Sequence, residues 1–322
     1  MKEKYKIEKI NQYDIFKLKN IINTKKKLLF FNFNKNKNIV IILLLLFFIF
    51  IFIFILILNK VISFKKNSTL KIVAISYSNE KYQTQLKYNK KSAIEIGKVD
   101  EYYEYGPNDI EYEFKQKNKD ILSKKRGNGY WLWKPYFILK TLKQKLKDGD
   151  YLIYTDACIL YKDNSRKLID FLITKKAEIW LYKLRHFEKH WTKRDAFILM
   201  DADNSYYQET FQYNAAMQIY RKSKFTENFL NKYLYYSQDK RIITDEPNTQ
   251  LLSNLDGFRD HRHDQSILSL LVKKYSQANS GNKNIDIKII NSLESEMPYI
   301  FCHYRRMKFS NYEDLKKNCR DS

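Results

Sequence analysis

The stretch "DYLIYTDACILY" (Asp150–Tyr161) decides the fold, because an apolar run ends there on a single acid, Asp156. A short apolar run rich in β-branched and aromatic residues predicts a buried strand. Similar runs occur at Leu70–Ser78 and Ala177–Leu184, with helical patterns between them. Strands that alternate with helices are typical of an α/β domain with a largely parallel sheet, whose ligands bind beyond the C-terminal strand ends. Asp156 therefore follows a predicted strand at the place where chemistry is normally found.

The sequence predicts further helices and strands, some of them without fixed bounds. Residues 79–126 are polar and Tyr-rich, and they predict helical stretches without fixed bounds. The other predicted elements are a helix that starts within "GNGYWLWKPY" and stops at Asp148, a strand at Ala196–Met200, one or two helices within Asn214–Asp239, a helix whose first turn carries Asp264, and a late strand, "IDIKIIN".

Residues Ile39–Leu58 are twenty consecutive apolar residues without Gly, Pro or charge. A helix rises about 1.5 Å per residue, so such a run spans the roughly 30 Å hydrocarbon core of a bilayer. The preceding tail carries 11 Lys against three acids, which favours a cytoplasmic N-terminus. The sequence thus predicts a single-pass type II membrane protein with a basic tail (1–38), a signal-anchor (39–58), a short stem (59–70) and a lumenal domain (71–322). In a eukaryote that domain would face the endoplasmic reticulum or Golgi lumen.

The net charge of +23 comes mostly from Lys scattered through the chain. Proteins that bind nucleic acid gather their basic residues into a patch or stripe. No long basic block occurs in the part that follows the apolar run, so we predict no nucleic acid among the partners. A protein that binds nucleic acid or anionic lipid is kept as a rival that would show a steep salt dependence.

Three cysteines, Cys158, Cys302 and Cys319, are present. They do not have the paired C-x-x-C spacing of a zinc site. In an oxidising compartment one pair could form a disulfide and leave one thiol over, and the spacings leave the pairing open.

The densest motif is "GNGYWLWKPY" (Gly127–Tyr136), which places two Trp, two Tyr, a Lys and a Pro behind two Gly. A core cluster that fixes a helix start, with Pro135 in the first turn, is one interpretation. The other is a flat aromatic wall with one cation, suited to a nucleotide base and its phosphates.

Acidic and basic motifs allow similar pairs of interpretations. Asp156 could cap a loop or bind Mg²⁺ or Mn²⁺, which prefer carboxylate and phosphate oxygens. "HRHDQS" (His261–Ser266) could cap a helix through Asp264 or form a polar clamp at an anion-binding helix start. "FCHYRR" could be a plain basic loop or could bring His303 to a site. A second acidic segment, "AFILMDADNSYY", carries the D-x-D pair Asp201 and Asp203.

Together these motifs resemble a family. The order "GYWLWKPYFILKTL", "DGDYLIYTDAC", "NAAMQIYRKS" and "HRHDQSILSLL" is similar to nucleotide-diphospho-sugar transferase proteins of the GT-A fold, from about Lys71 to His303. The resemblance implies a GT-A, Rossmann-like sheet with flanking helices, preceded here by one transmembrane helix. It also implies a glycosyltransferase that uses a nucleoside-diphosphate sugar and a divalent metal.

A more distant likeness to glycosyltransferase family 8 assigns further residues. It matches Asn214-Ala215 to a loop that touches the donor sugar, Asp264-Gln265 to a pair near the reacting carbon, and His303 to a metal-binding His. By the same likeness Asp156 is the metal acid, although Cys158 replaces the second acid of a D-x-D motif. Asp201 and Asp203 would then lie in a decoy or acceptor-side loop.

We therefore predict a membrane-anchored hexosyltransferase that transfers a sugar to a glycan, protein or lipid acceptor with Mn²⁺ or Mg²⁺. The alternative is a catalytically decayed, membrane-anchored binding protein on the same fold, which the missing acid supports. The predicted catalytic residues are Asp264 and Gln265. The predicted nucleotide- and donor-binding residues are Tyr130, Trp133, Lys134, Asn214 and Arg305. The predicted metal ligands are Asp156 and His303.

Overall fold

The computed structural model describes residues 19–21, 25, 37–68, 70–280, 289–292, 297–305 and 307–320. The chain divides into two compact units, residues 1–69 and 70–322. Each unit is considered by itself. The finer division predicted from sequence, with its tail and stem, stays a prediction.

The first unit contains one long helix, α1 (Lys37–Ser68). Its segment Ile41–Leu58 has a mean hydropathy of 3.8, and none of that segment is buried. By length and composition this helix could therefore cross a bilayer. The helix continues past the predicted span into the residues interpreted as a stem.

Eight strands occur in the part of the second unit that the structure describes. They are β1 (Ile72–Tyr77), β2 (Glu101–Tyr105), β3 (Tyr151–Thr155), β4 (Ile159–Tyr161), β5 (Ile179–Phe187), β6 (Phe211–Arg221), β7 (Ile289–Asn291) and β8 (Phe301–His303). Six form one sheet in the order β2-β1-β3-β6-β5-β7, and β4 pairs with β8. In the large sheet β6 is antiparallel to β3 and β5, and the other pairs are parallel. The predicted α/β class with a mainly parallel sheet is confirmed.

Six longer helices occur in the described part of this unit; residues of the first five belong to the cores on the large sheet, and the last packs with β4 and β8. They are α2 (Gln83–Glu95), α3 (Trp133–Lys145), α4 (Ser165–Thr174), α5 (Lys224–Ser237), α6 (Asp264–Ser280) and α7 (Tyr312–Arg320). Short helices of three to six residues lie at Glu80–Tyr82, Pro107–Asp109, Tyr112–Lys117, Lys119–Leu122, Gly127–Tyr130, Glu188–Trp191, Arg194–Leu199, Ser205–Gln208 and Lys240–Ile243.

The central strands separate two hydrophobic cores. Val73 and Ile75 of β1 join a core that contains residues of α3, α5 and α6, whereas Ile72 and Ala74 join a core with residues of α2 and α4. Successive side chains of a strand point to opposite faces, so a strand buried on both faces is apolar at nearly every position. This explains why "IVAISY" and "YLIYT" could be recognised as strands, since every residue of β1 and β3 is buried.

The predicted strand at Ala196–Met200 is wrong, because Arg194–Leu199 is a short helix. A run of four or five apolar residues cannot distinguish a buried strand from a buried helical turn. Here Asp195, just before the run, accepts hydrogen bonds from the backbone nitrogens of Thr249 and Gln250. These hydrogen bonds to a distant loop hold the segment in place, and such long-range contacts cannot be predicted from the local sequence.

The predicted helix at the start of Asn214–Asp239 is also wrong, since β6 runs to Arg221 and only α5 is helical. Polar residues obscured the strand: Gln212 and Gln218 are fully buried. Gln218 Nε2 donates to the carbonyl oxygen of Ala215 at 2.8 Å, so its polar atoms are satisfied inside the fold. The sequence also missed β2, "EYYEY", whereas the helix from Asp264 is confirmed. Residues 285–288 of the predicted late strand lie outside the described residues, and the strand is present at Ile289–Asn291.

Candidate functional site

A buried lysine joins two acids beyond the C-terminal end of β3. Lys134 lies in the first turn of α3, Asp156 directly follows β3, and Asp264 is the first residue of α6. The Nζ atom of Lys134 lies 3.3 Å from Asp156 Oδ1 and 2.9 Å from Asp264 Oδ2. It also donates a hydrogen bond of 3.2 Å to the carbonyl oxygen of Ala215. We name the three side chains the Lys134 cluster. The fold thus brings together three residues that were predicted from three separate motifs.

The Lys134 cluster is accessible at one member. The exposed fraction of the side chain is 3% for Lys134, 5% for Asp264 and 36% for Asp156. Tyr154 donates a hydrogen bond of 2.5 Å to Asp156 Oδ1, and Tyr233 donates one of 3.4 Å to Asp264 Oδ2. Asp156 is therefore the member that meets solvent, and the other two lie behind it.

Burial and pairing set the protonation of the cluster. Burial alone would lower the pKa of Lys134, but attraction to Asp156 and Asp264 outweighs it and raises that pKa, so the ammonium stays charged. Burial raises the pKa of Asp264 to about 6, although Lys134 opposes the shift, because a carboxylate removed from water is harder to ionise. With both acids ionised the cluster has one excess negative charge, and protonation of Asp264 removes it.

Asp156 opens onto a cavity of about 370 Å³. Its cationic lining residues are Lys81, Lys125 and Arg305, and its aromatic ones are Tyr77, Tyr82, Trp131 and Trp133. The other residues that line it are Ser78, Asn79, Gly127, Asn128, Ala157, Cys158 and His303. Three cations and several rings around one carboxylate suit an anionic ligand that also carries a flat ring.

The segment 127–131, which contributes to the cavity wall, has an unusual backbone. The φ angles are +58° at Gly127, +57° at Asn128, +94° at Gly129, +51° at Tyr130 and +61° at Trp131. Such angles are uncommon for residues other than Gly. A Cβ atom at Gly127 would lie only 2.2 Å from the Trp131 ring, so Gly is required there. Backbone strain of this kind clusters at functional sites.

The two aromatic residues predicted to flank a base behave differently. Trp133 lines the cavity, but its ring stacks on Tyr77 with centroids 3.7 Å apart, and its Nε1 donates to the carbonyl oxygen of Gly127 at 2.9 Å. One face of that ring is therefore used by the core. Tyr130 is buried and is absent from the cavity lining. Trp131, which the sequence interpretation did not select, is half-buried and lines the cavity.

Gln265 is held by a chain of buried hydrogen bonds. Its Nε2 donates to Gln212 Oε1 at 2.8 Å, and Gln212 Nε2 donates to Glu188 Oε2 at 2.8 Å. Glu188 is fully buried and pairs with Lys273 at 2.8 Å. Because Glu188 Oε2 accepts from Gln212 Nε2, the amide oxygen of Gln212 is left to accept from Gln265, and this contact sets the orientation of both amides. Nothing in the local sequence pointed to Glu188 or Gln212, since the contacts span 24 and 53 residues of chain.

The predicted donor-sugar residue Asn214 lies in β6, not in a loop. Its Oδ1 accepts a hydrogen bond of 2.5 Å from the backbone nitrogen of Ala216. The carbonyl oxygen of Ala216 in turn accepts from the backbone nitrogen of Asp156 at 2.8 Å. Asn214 thus shapes the strand beside Asp156, and it does not line the described cavity.

His303 and Arg305 reach the cavity from the C-terminal segment. His303 ends β8, where it pairs with Ile159 of β4, three residues after Asp156. A disulfide between Cys302 and Cys319 links β8 to α7, which answers the pairing that the sequence left open. The third cysteine, Cys158, is a free thiol in the cavity wall, and burial raises its pKa.

The predicted metal ligands Asp156 and His303 share the cavity, but they are few. Among the described residues no group of three or more His, Cys, Asp or Glu could hold a metal ion. Asp156 Oδ1 is already engaged by Tyr154 and Lys134. One carboxylate and one imidazole fit a cation that takes its remaining ligands from a bound diphosphate and water. They do not fit a metal site made by protein alone.

The other conspicuous groups have structural partners. His261 Nε2 and His263 Nδ1 lie 2.8 Å and 2.7 Å from the carbonyl oxygens of Ile242 and Ile243, so the histidines of "HRHDQS" fasten the start of α6 to a short helix. Burial lowers the pKa of both histidines. Neither lines the described cavity.

Comparisons with known proteins do not identify a family for this chain. No family model matches the chain, and no curated protein matches it. Among solved structures it is similar to apo mouse xyloside xylosyltransferase 1, with a TM-score of 0.36 and 11% identity over 71% of this chain and 99% of that one. It is also similar to a glycosyltransferase involved in glycosylation of the PBCV-1 major capsid, with a TM-score of 0.35 and 10% identity over 78% and 100%.

A third structure is 4-diphosphocytidyl-2C-methyl-D-erythritol synthase from Anaerococcus prevotii, with a TM-score of 0.33 and 14% identity over 78% and 97%. These TM-scores are too low to establish a shared fold. The arrangement of Asp156, Lys134 and the cationic cavity therefore carries the functional conclusion.

Proposed function

We propose that the second unit is a glycosyltransferase of the GT-A type, which transfers a sugar from a nucleoside-diphosphate sugar to a glycan, protein or lipid acceptor. The observation that carries the proposal is Asp156 at the edge of a cavity lined by three cations and four aromatic rings, with Lys134 and Asp264 behind it. The position of Asp156 just after a central strand agrees with where α/β sheets bind ligands.

The cavity residues divide by chemistry. Lys81, Lys125 and Arg305 attract the diphosphate, because clustered ammonium and guanidinium groups favour phosphate oxygens. Trp131, which is half-buried and lines the cavity, contacts the base, and Trp133 lines the same cavity although it is almost completely buried. Lys134 offsets the negative charge of Asp156 from the inside, so a diphosphate meets less repulsion there than it would beside a lone carboxylate.

A divalent cation, Mn²⁺ or Mg²⁺, would be held by Asp156 and His303 together with the diphosphate. When bound, it neutralises charge on the diphosphate. This role is proposed because a carboxylate and an imidazole line the same cavity, and oxygen-rich shells completed by phosphate are typical of these ions.

Asp264 and Gln265 are proposed to lie on the sugar side of the site. Asp264 holds the Lys134 ammonium, and the chain from Glu188 fixes the Gln265 amide. An inverting reaction would use Asp264 to take the proton of the acceptor hydroxyl, whereas a retaining reaction has no separate base. The anomeric configuration of the product, read by NMR, distinguishes the two.

The second candidate function is a binding protein without turnover. The observation that favours it is the small protein donor set for a metal, in which Cys158 stands where a D-x-D motif would have an acid. Such a protein would bind the nucleotide sugar without cleaving it. Donor hydrolysis, measured with and without Mn²⁺, separates the two candidates.

We also propose that α1 anchors the protein in a membrane as a type II signal-anchor, with the second unit on the lumenal side. The support is the apolar segment Ile41–Leu58 and the excess of Lys before it. Protease added to sealed microsomes should spare the residues beyond about 70. Digestion of the second unit would show that it lies on the cytoplasmic side and would contradict the proposed orientation.

The test of the proposed function is calorimetric titration of the full-length protein in detergent with UDP, GDP, CDP and ADP, in the presence of Mn²⁺. We expect at least one to bind, and the double variant Lys125→Ala/Arg305→Ala to weaken it about 100-fold, because two charge-assisted contacts are lost. Lys175→Ala, which removes an exposed cation resting on Phe171, is the matched control and should bind normally. Absence of binding by every nucleotide would refute the proposal.

A further inference from the structure

A cationic and aromatic surface cluster lies outside the cavity and has no role in the function proposed above. The Trp191 ring is contacted by three side chains: the Arg262 guanidinium at 4.2 Å from the ring centroid, the Arg259 guanidinium at 5.8 Å, and the His186 ring with centroids 5.5 Å apart. Both arginines and His186 are exposed, and Trp191 is half-buried. We name these four residues the Trp191 patch.

The positive charge of the Trp191 patch is only partly balanced. Arg262 lies 3.7 Å from Asp260, but that carboxylate already accepts hydrogen bonds of 2.9 Å and 3.0 Å from Arg126. Arg259 forms no ion pair with any residue in the part of the chain that the structure describes. Arg262 shares its carboxylate with Arg126, and Arg259 has none among the described residues, so both patch guanidinium groups keep capacity for an added oxyanion. Guanidinium groups bind oxyanions with two parallel hydrogen bonds.

The patch is fastened to the element that carries Asp264. The carbonyl oxygen of Trp191 accepts hydrogen bonds from the backbone nitrogen of Arg262 at 3.0 Å and from Ser266 Oγ at 2.9 Å. Ser266 lies in the first turn of α6, which begins at Asp264. None of the four patch residues lines the 370 Å³ cavity. The patch is therefore a separate surface that is fastened to the first turn of α6, the helix that begins at Asp264.

We propose that the Trp191 patch binds the sugar acceptor through an oxyanion that the acceptor carries. The two guanidinium groups recognise a phosphate, sulfate or carboxylate, and the exposed part of the indole packs on the apolar face of the adjoining sugar ring. This assignment rests on the proposed transfer reaction, since it takes the helix start that carries Asp264 to be the sugar side of the site. It adds that the acceptor is an anionic glycan, and that its charge is read away from the donor cavity.

The test compares four sugars that share one ring: glucose, glucose 6-phosphate, glucose 6-sulfate and glucuronate. Ligand-observed NMR with the full-length protein in detergent measures their binding with the donor cavity filled by a saturating nucleoside diphosphate. At least one anionic sugar should bind more tightly than glucose. Arg259→Ala and Arg262→Ala should each weaken that binding about tenfold, because each removes one charge-assisted contact. Lys175→Ala is again the matched control, and it should leave the binding unchanged.

The outcomes separate this proposal from the function on which it rests. Equal binding of glucose and the anionic sugars, or unchanged binding by both Arg variants, overturns the patch assignment while nucleotide binding stands. Binding of phosphatidylserine vesicles through the same arginines, without preference for any anionic sugar, overturns it in favour of a membrane contact. If the nucleotides fail to bind but the anionic sugars bind through Arg259 and Arg262, the proposed transferase function fails and the patch remains a site for anionic sugars.

Discussion

Two acidic segments of this chain follow apolar runs, and the structure gives them opposite surroundings. Asp156 directly follows the central strand β3, contacts a buried lysine and opens onto the cationic cavity. Asp201 and Asp203 leave a short helix instead. Asp203 accepts from Arg194 at 2.8 Å and from Gln208 at 2.7 Å, and the fully exposed Asp201 pairs with Lys274 at 3.3 Å. Neither of these two acids lines the cavity.

The comparison teaches that the spacing of two acids does not by itself make a metal or phosphate site. Asp203 is satisfied by neighbours within nine residues, so it needs no ligand. Asp156 instead lies where the C-terminal end of β3, the start of α3 and the start of α6 meet. The D-x-D pattern therefore occurs at Asp201 and Asp203, whereas the surroundings typical of a ligand site occur at Asp156.

The largest expected difference between the two regions is in stability. Lys134→Met leaves two acids facing a buried site without their cation, and breaking a buried pair costs about 3–5 kcal/mol of unfolding free energy. Arg194→Met, which removes the partner of Asp203 near the surface, should cost about 1 kcal/mol or less. Urea unfolding measures both. Equal losses would mean that the Lys134 cluster is no more buried in solution than the Asp203 pair.

Nucleotide binding should separate the regions next. Asp156→Asn should weaken Mn²⁺-dependent binding of a nucleoside diphosphate by about 100-fold or more, because an amide lacks the charge that the cation and diphosphate require. Asp201→Asn and Asp203→Asn made together should leave that binding within about twofold, since neither residue lines the cavity. Calorimetry with and without Mn²⁺ decides. The reverse result would place the metal site at the D-x-D segment.

His303→Ala should weaken Mn²⁺-dependent nucleotide binding less than Asp156→Asn does and more than the Asp201/Asp203 double variant does. It removes one of the two proposed protein ligands, so we expect about a tenfold loss of Mn²⁺-dependent nucleotide binding. Binding without metal should hardly change. The matched control is His190→Ala, an imidazole that is absent from the cavity lining. A loss in His303→Ala that is equally large with and without Mn²⁺ would argue for a direct contact with the nucleotide instead.

The smallest expected effect is a pH dependence that the Asp201 region should lack. Burial raises the pKa of Asp264 to about 6, so this acid gains a proton as the pH falls from 7 to 5 and the cluster loses one negative charge. Binding of a nucleoside-diphosphate sugar without metal should therefore tighten about two- to threefold, a change expected for one charge at a distance in a polar medium. The sugar diphosphate is used because it lacks the terminal phosphate ionisation near pH 6. Asp264→Asn should remove the trend, and a trend that persists in that variant would assign it to another group.

The sequence by itself determined β1, β3, the start of β5, the apolar helix α1 and the start of α6. Each of these is a local pattern: a strand buried on both faces is apolar throughout, and a helix that could cross a bilayer is apolar for twenty residues. For the same reason the sequence failed at Arg194–Leu199 and at β6, where contacts with distant loops and satisfied buried glutamines outweighed local preference.

Only the tertiary structure decided how the chosen residues relate. It placed Lys134 between Asp156 and Asp264, which are separated by 108 residues of chain, and so turned three weak motifs into one charged cluster. In the structure Tyr77 stacks on one face of Trp133, and Trp131 lines the cavity. Cys302 forms a disulfide with Cys319. The physical reason is that burial, charge compensation and the accessible face of a ring depend on what packs around a side chain, and those neighbours come from remote parts of the sequence.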